Sequence, residues 1–513
     1  MVILHLCRLK GKIICFCGSI MKLALINHSF RYELEKLIRI FMPFEKIGFC
    51  DYAPKDGDCA VTVLEHQKEY TLLKAELYLS KKHFEAEKHL ADDTPDYEKE
   101  CERLLAVALY DCFVKASGYV PPWGILTGVR PAKLFLRLKE TMGQSSAEEW
   151  FKNALLVHNN KISLCAESVA GEEKIISLSR PDSFSLYISV PFCPTRCSYC
   201  SFVSHSIAHA KALIPEYVNL LIKEIEITAA AAHRLGLRLE TVYIGGGTPT
   251  TLSPDQLSAV MEAVNKSFDL SYLREYTVEA GRPDTVTSEK LSALKCGGAT
   301  RISINPQTMN DAVLEKIGRK HTAAETEAAF LLARRYGFDN INMDLIAGLP
   351  SDTLESFKST VERVLALNPE SITVHSLSMK RASGLTAEGV FPELKEGKTA
   401  SEMVDYAHDT LSSNGILPYY MYRQSKTVGN LENVGYARHG AECLYNVYIM
   451  DETHTILACG ASAVTKLREP GGNYIERIFN FKYPYEYINR FNELMERKDG
   501  IFKFYEKYPT VYK

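Results

Sequence analysis

The sequence is short of several things, and each shortage narrows what the chain can do. No uncharged apolar run approaches the roughly 20 residues that a membrane-spanning helix needs, so no span is expected. Neither sign of charge is in excess: 60 Lys and Arg stand against 63 Asp and Glu, a formal net charge of −3. That balance gives no electrostatic reason to bind nucleic acid or an anionic membrane. The opening stretch MVILHLCRLKGKIICFCGSI is apolar, but Arg8, Lys10 and Lys12 interrupt the core an export signal requires. Without such a signal the 14 cysteines are not expected to pair as disulfides, and the cytoplasm is the expected compartment. Low-complexity tracts are missing, and so is any repeat beyond the strand–helix units described below.

What the chain does have is length. At about 100–200 residues per domain, a chain of 513 residues predicts two to four units. Residues 1–20 read as a dispensable extension, because MKLALINHSF from Met21 opens cleanly as a first strand. Residues 21–178 read as an N-terminal α/β accessory domain. Its strands are KLALI, CAVTVLEH and YTLLKAELYL; its helices are RYELEKLIRIF, PDYEKECERLLAVALYDCFVKAS and a helix opening at Pro131. The polar AGEEK and SRPDS read as a separator.

From residue 183 to 390 short β-branched runs alternate with helical patterns. The strands are SLYISV, TVYIGGG, YTVEA, RISINP, INMDLIAG and SITVHSL; the helices start near Pro215, Ser253, Thr287, Asp311, Thr322 and Thr353. Repeated strand–helix units predict a parallel sheet, either doubly wound or a partly closed barrel. In both, the active site lies at the C-terminal strand ends, where the unusual residues gather. Residues 391–513 lose this rhythm and read as a C-terminal substrate-side extension of α+β character. There CLYNVYIM and HTILACGASAVTKL are expected as paired strands, and YPYEYINRFNELMERK as a closing helix.

The loop SVPFCPTRCSYCSF puts Cys193, Cys197 and Cys200 within eight residues. Structural zinc wants four ligands, and no second cysteine pair follows. Catalytic zinc takes three protein ligands, but not usually from one such loop. An iron–sulfur cube fits better, because a short loop of thiolates can wrap one face of it. Three thiolates leave one iron open to a small molecule. Pro191, Pro194, Thr195, Arg196 and Ser198 make a loop of this stretch rather than a core strand.

Cys-x3-Cys-x2-Cys with Tyr199 before the last cysteine resembles the signature of the radical S-adenosylmethionine (radical SAM) superfamily. LYISVPFCPTRCSYCSF with YIGGGTPTTLS resembles, more narrowly, the oxygen-independent coproporphyrinogen III dehydrogenase-like family. WGILTGVRPAKL, TVEAGRPD and PYYMYRQ resemble its HemZ branch. The resemblance implies a partial (βα)6 barrel for residues 183–390. It also implies a 4Fe–4S cluster on Cys193, Cys197 and Cys200, with S-adenosyl-L-methionine on the open iron. Cosubstrate contacts then fall on Tyr187, Gly245, Gly246, Gly247, Thr248, Glu279, Gln307, Arg319 and Asp344. No side chain is singled out as catalytic, since the radical arises on the cosubstrate. His321 is a weaker candidate, from its place in GRKH.

The implied activity is oxidative decarboxylation of coproporphyrinogen III propionates to vinyl groups, fed by a reducing donor such as flavodoxin or ferredoxin. Arg130, Lys133, Arg282, Arg301 and Arg423 are candidates to meet the propionates. Two departures keep alternatives open, a haem-binding or haem-insertion chaperone and a radical enzyme acting on haem itself. Phe202 stands where well-studied dehydrogenases carry a further cysteine, and ACGASA replaces a more glycine-rich turn.

Overall fold

The computed structural model describes residues 7–9, 12–14, 21–52, 54, 57–200, 205–380, 383–387 and 394–508. They form two compact units. One comprises Met1–Val129, Arg137–Ile162 and Gln424–Asn430; the other comprises Arg130–Leu136, Ser163–Arg423 and Leu431–Lys513.

In the first unit a five-stranded sheet runs in the order Ile47–Cys50, Met21–Ile26, Cys59–His66, Tyr70–Leu79, Lys82–Ala91. The first three strands are mutually parallel, and the rest follow as antiparallel hairpins. Alternating apolar residues such as Leu73, Ala75 and Leu77 turn one face inward. The helices Arg31–Phe41 and Tyr97–Ser117 share the core, with Phe41 stacked on Phe113 at 4.9 Å.

The second unit is built on six parallel strands: Ser183–Val190, Arg238–Gly246, Glu275–Glu279, Arg301–Ser303, Ile341–Ala347 and Ser371–Ser376. Each pairs with the next in chain order. A doubly wound sheet reverses its order partway; this one never does, which is the ordering of a barrel. It stays open, because later strands extend both edges. Thr455–Cys459 joins the first strand in parallel, followed by Val464–Arg468 and Ile475–Phe479. Glu432–Ala437 pairs antiparallel with the sixth strand, and Leu417–Arg423 pairs antiparallel with Glu432–Ala437 to form the outer edge.

The two faces of the six strands differ in kind. Leu186, Ile188, Val242, Ile244, Tyr276, Val278, Ile302, Met343 and Val374 form the buried apolar face. Ser185, Tyr187, Thr241, Tyr243, Thr277, Glu279, Arg301, Ser303, Asn342, Asp344, Thr373 and His375 alternate with them on the other. The intervening helices begin where expected. Ser253, Thr287, Thr322 and Thr353 each accept a backbone N–H of the first turn, and Ser253 and Thr322 complete capping boxes. No helix of the described residues is long and apolar enough to cross a membrane.

Three local expectations are corrected. CLYNVYIM is not a strand: Leu444–Asp451 is a helix. Its first-turn amides, Leu444 N and Tyr445 N, donate to the buried Glu275 carboxylate at 2.7 and 3.3 Å, a partner 169 and 170 residues away. AGEEK is not a separator but part of the helix Asn159–Ile176. A Cβ at Gly171 would lie 2.7 Å from the Tyr419 Cα, so glycine permits a close helix–strand approach. Burial pushes the neighbouring Glu172 up to about 8, and its carboxyl accepts the Met421 N–H. The expected closing helix breaks at Arg490 into Pro484–Asn489 and Phe491–Lys498.

Candidate functional site

The cysteine loop leaves the C-terminal end of the first barrel strand. Phe192–Cys193 pairs with His205–Ser206, which closes the loop at its base. Thr248 Oγ1 donates to Cys193 Sγ at 3.6 Å. Arg282, 3% exposed, donates to Cys197 Sγ at 3.6 Å and to Thr195 Oγ1 at 3.2 Å. Arg319 donates to the Tyr199 hydroxyl at 3.2 Å and to the Asn305 carbonyl at 2.7 Å. Phe202 lies outside the described residues, as do Cys15 and Cys17.

The glycine run ends the second strand directly against this loop. Gly247 N donates to Val190 O at 2.8 Å, and Thr248 N to Phe192 O at 2.7 Å. A Cβ on Gly247 would lie 2.6 Å from Phe192 O, and Gly246 adopts φ +105°. Side chains are therefore excluded here by backbone contact.

The acidic residues stand at the same end of the sheet. The Tyr243 hydroxyl donates to Glu279 Oε1 at 2.6 Å, and that oxygen lies 2.9 Å from where a Gly245 Cβ would be. Burial pushes the Glu279 carboxyl up to about 7; the Tyr243 bond opposes this and the Asp344 charge adds to it. Asp344 is pulled the other way. Burial would raise it, but His375, with Asn342 and Thr373, holds it below the usual carboxylate range. Asn342 Nδ2 donates to Asp344 Oδ1 at 2.7 Å, and His375 Nε2 stands 3.9 Å from Oδ2. Gln307, at φ +70°, is tied to this strand through its N–H to Asp344 O and its carbonyl to Ile346 N, each 2.9 Å.

The residues expected to hold the cluster and the cosubstrate thus lie on or beside the C-terminal ends of the barrel strands. Tyr187 adds its ring, stacked on Tyr445 at 6.0 Å and Tyr243 at 6.3 Å. Sequence reasoning missed Tyr243 and Tyr445. Tyr243 was legible, two residues before Gly245 on the same face of one strand; Tyr445 was not, because its helix was misread. His321 is buried beside Arg319 and Arg282. Burial first, then those two cations, lower it to about 4, so it is neutral near pH 7. Of the propionate candidates, Arg130 and Lys133 pair with Glu452, Arg301 donates to Ser371 and Arg423 is buried. Arg282 serves the cysteine loop.

These residues fit an iron–sulfur cluster with a polar cosubstrate. One tetrahedral zinc, with Zn–S near 2.3 Å, needs its sulfurs within about 4 Å of one another. Among the described residues the only His/Cys/Asp/Glu group with ligand atoms within 4.8 Å is Glu76, His83 and Glu85, so the three thiols spread more widely than one ion needs. Thr277 Oγ1, Ser303 Oγ and Arg319 Nε are buried without a hydrogen-bond partner. The two hydroxyls alternate with the apolar face in strands whose next inner residues include Glu279. Unmet polar groups of this kind call for a polar ligand.

An open barrel in chain order, with a three-cysteine loop after its first strand, defines the class, and the Radical SAM superfamily model matches residues 187–364. The oxygen-independent coproporphyrinogen-III oxidase-like protein HemZ of Bacillus subtilis (strain 168) is 37% identical over 404 residues, 78% of this chain and 81% of that protein. The heme chaperone HemW of the same organism is 33% identical over 314 residues, 59% of this chain and 77% of that one. The solved coproporphyrinogen III oxidase (HemN) of Escherichia coli, described as a radical SAM enzyme, superposes with TM-score 0.48 at 22% identity, covering 64% and 73%. The chain belongs to the oxygen-independent coproporphyrinogen III oxidase-like family of radical SAM proteins, in its HemZ branch.

Proposed function

We propose that the protein is a radical SAM oxidoreductase acting on a tetrapyrrole, converting coproporphyrinogen III propionates to vinyl groups without oxygen. Bound at this site, a 4Fe–4S cluster and S-adenosylmethionine supply one-electron reduction and hydrogen-atom abstraction. Each turnover removes a hydrogen atom from a propionate β-carbon. Loss of CO2 and of one electron to a one-electron acceptor then leaves the vinyl group, and a low-potential donor such as flavodoxin or ferredoxin feeds the cluster.

The chain's own part is to hold and to exclude. Cys193, Cys197 and Cys200 ligate the cluster, with Thr248 and Arg282 donating to two of their sulfurs. Tyr187, Gly245, Gly246, Gly247, Gln307 and Arg319 line the cosubstrate position, and Arg319 Nε offers a donor to a carboxylate. Asp344, held ionised, accepts hydrogen bonds from hydroxyl groups. Glu279, near 7, can accept or donate. Tight docking of the loop keeps water from the reacting centre.

The observation that carries this reading is the meeting, at one end of one sheet, of a three-thiol loop and an acid pair with opposed proton affinities. Haem handling is the second reading, favoured by the likeness to HemW chaperones. Anaerobic incubation of the reconstituted protein with coproporphyrinogen III, S-adenosylmethionine and a reductant decides between them. A mass loss of one CO2 and two hydrogens per propionate is expected. Stoichiometric haem binding without turnover would instead establish the second reading, and a linear tetrapyrrole formed from haem would establish chemistry on haem itself.

A further inference from the structure

Arg282 carries a role that neither the family likeness nor the propionate argument assigns. It sits in EAGRPD, just beyond the third barrel strand, and is 3% exposed. A guanidinium so buried needs strong partners, because an unpaired buried charge is very costly. Its partners are specific. Nη1 donates to Cys197 Sγ at 3.6 Å, Nη1 and Nη2 both reach Thr195 Oγ1 at 3.2 Å, and the Nε and Nη2 edge pairs with Asp284 at 2.9 and 3.0 Å. The other buried guanidinium near the loop, Arg319, bonds to Tyr199, Asn305 and Gly281 and also interacts with the Cys197 thiol, but it has no carboxylate partner like Asp284 among these bonds.

We propose that Arg282 sets the reduction potential of the cluster through its charged hydrogen bond to Cys197, and that Asp284 trims the strength of that effect. The proposal rests on the cluster reading above. Reduction adds one negative charge to a centre already rich in thiolate charge. A cationic donor on a ligating sulfur stabilises the more negative, reduced state and raises the potential. Asp284 partly neutralises the same cation, so it lowers the potential from one step further out. The two residues therefore pull in opposite directions while belonging to one ion pair. A purely structural role would make either loss act in the same direction, as damage.

The test is a redox titration of the anaerobically reconstituted full chain, followed by electron paramagnetic resonance, for wild type, Arg282→Gln, Arg282→Lys and Asp284→Asn. Arg282→Gln is expected to titrate more negative, with about tenfold less reduced cluster at a fixed potential, which is about 59 mV for one electron. Arg282→Lys keeps the charge and falls between. Asp284→Asn is expected to move the other way. Should Arg282→Gln lose the cluster, the positive shift in Asp284→Asn carries the proposal alone. Wild-type protein that takes up the cluster, together with variants that retain it at the wild-type potential, overturns the role of Arg282 and leaves the cluster reading standing. Wild-type protein that takes up no cluster overturns both.

Discussion

Glu279 and Asp344 differ in what surrounds them rather than in kind. Both stand at the mouth of the barrel, yet one carboxyl is pushed up to about 7 and the other is held low. Burial raises both; at Glu279 it prevails, helped by the Asp344 charge and against the Tyr243 bond, whereas at Asp344 a histidine and two polar side chains overcome it. The raised value has a consequence for stability. Between the usual glutamate value and about 7 the folded chain binds more protons than the unfolded chain, so this group's contribution falls as pH rises through that window. Below it both states are protonated and the contribution is constant. Glu279→Gln removes the dependence, since an amide still accepts from Tyr243. The variant is expected to match wild type near pH 4 and to exceed it by roughly 3 kcal/mol near pH 8, as the apo protein. Denaturant melts at the two pH values check this; a constant gap between variant and wild type would mean that Glu279 does not titrate there. The acids were legible in the sequence because a carboxylate in an apolar strand is conspicuous. Which one is protonated was not, because that depends on Tyr243 and His375, brought in from other strands.

At the level of elements, the GGG run and the cysteine loop act as one piece. The parallel pairing of Gly245 with Ser189 and Gly246 with Val190 continues into the amide bonds of Gly247 and Thr248. The strand end therefore becomes the floor of the loop. Gly247→Ala sets a methyl against three backbone atoms, Phe192 O, Phe192 N and Val190 O, none of which can swing aside. The expected cost is about 2 kcal/mol, paid mainly by the loop lifting off. Iron content after reconstitution should fall below half of wild type while far-ultraviolet circular dichroism is unchanged. Full iron uptake by the variant would show that the loop does not depend on this docking.

Element reading from sequence succeeded where the signal was local. The strand–helix alternation predicted the parallel sheet and the helix starts, and the pairing of each strand with the next decided for barrel order over a doubly wound sheet. It failed where the determinant lay far along the chain. CLYNVYIM is apolar, with β-branched and aromatic residues and no helical period, so strand was the natural reading. It becomes a helix because Glu275 meets its first amides. AGEEK looks like a linker by composition, yet Gly171 and Glu172 are there to fit Tyr419 and Met421.

Across the second unit, the later strands extend both edges of the sheet, and the last helices pack against it. The buried pair Glu224–Lys498, at 3.0 Å, joins the helix Ile214–Arg234 to the helix Phe491–Lys498. Glu224 also accepts from Gly460 N, the Tyr487 hydroxyl and Asn480 Nδ2. Gly460 in turn is pressed on Ser189: a Cβ there would lie 2.4 Å from Ser189 O, and Tyr217 donates to that same carbonyl while accepting from Ala461 N. One charge pair near the end of the chain thus braces the turn ACGASA against the strand that launches the cysteine loop. Removing only the cation leaves Glu224 charged in the interior. Lys498→Met is therefore expected to lower the stability of this unit by about 3 kcal/mol and to weaken cluster retention with it. Adding Glu224→Leu in the same chain discharges the interior and is expected to recover part of the stability. It should not recover the cluster, because the turn has lost the acceptor for Gly460 N. Thermal melts paired with iron analysis separate the two effects, and cluster retention by a stable double variant would mean that the turn holds its place without Glu224.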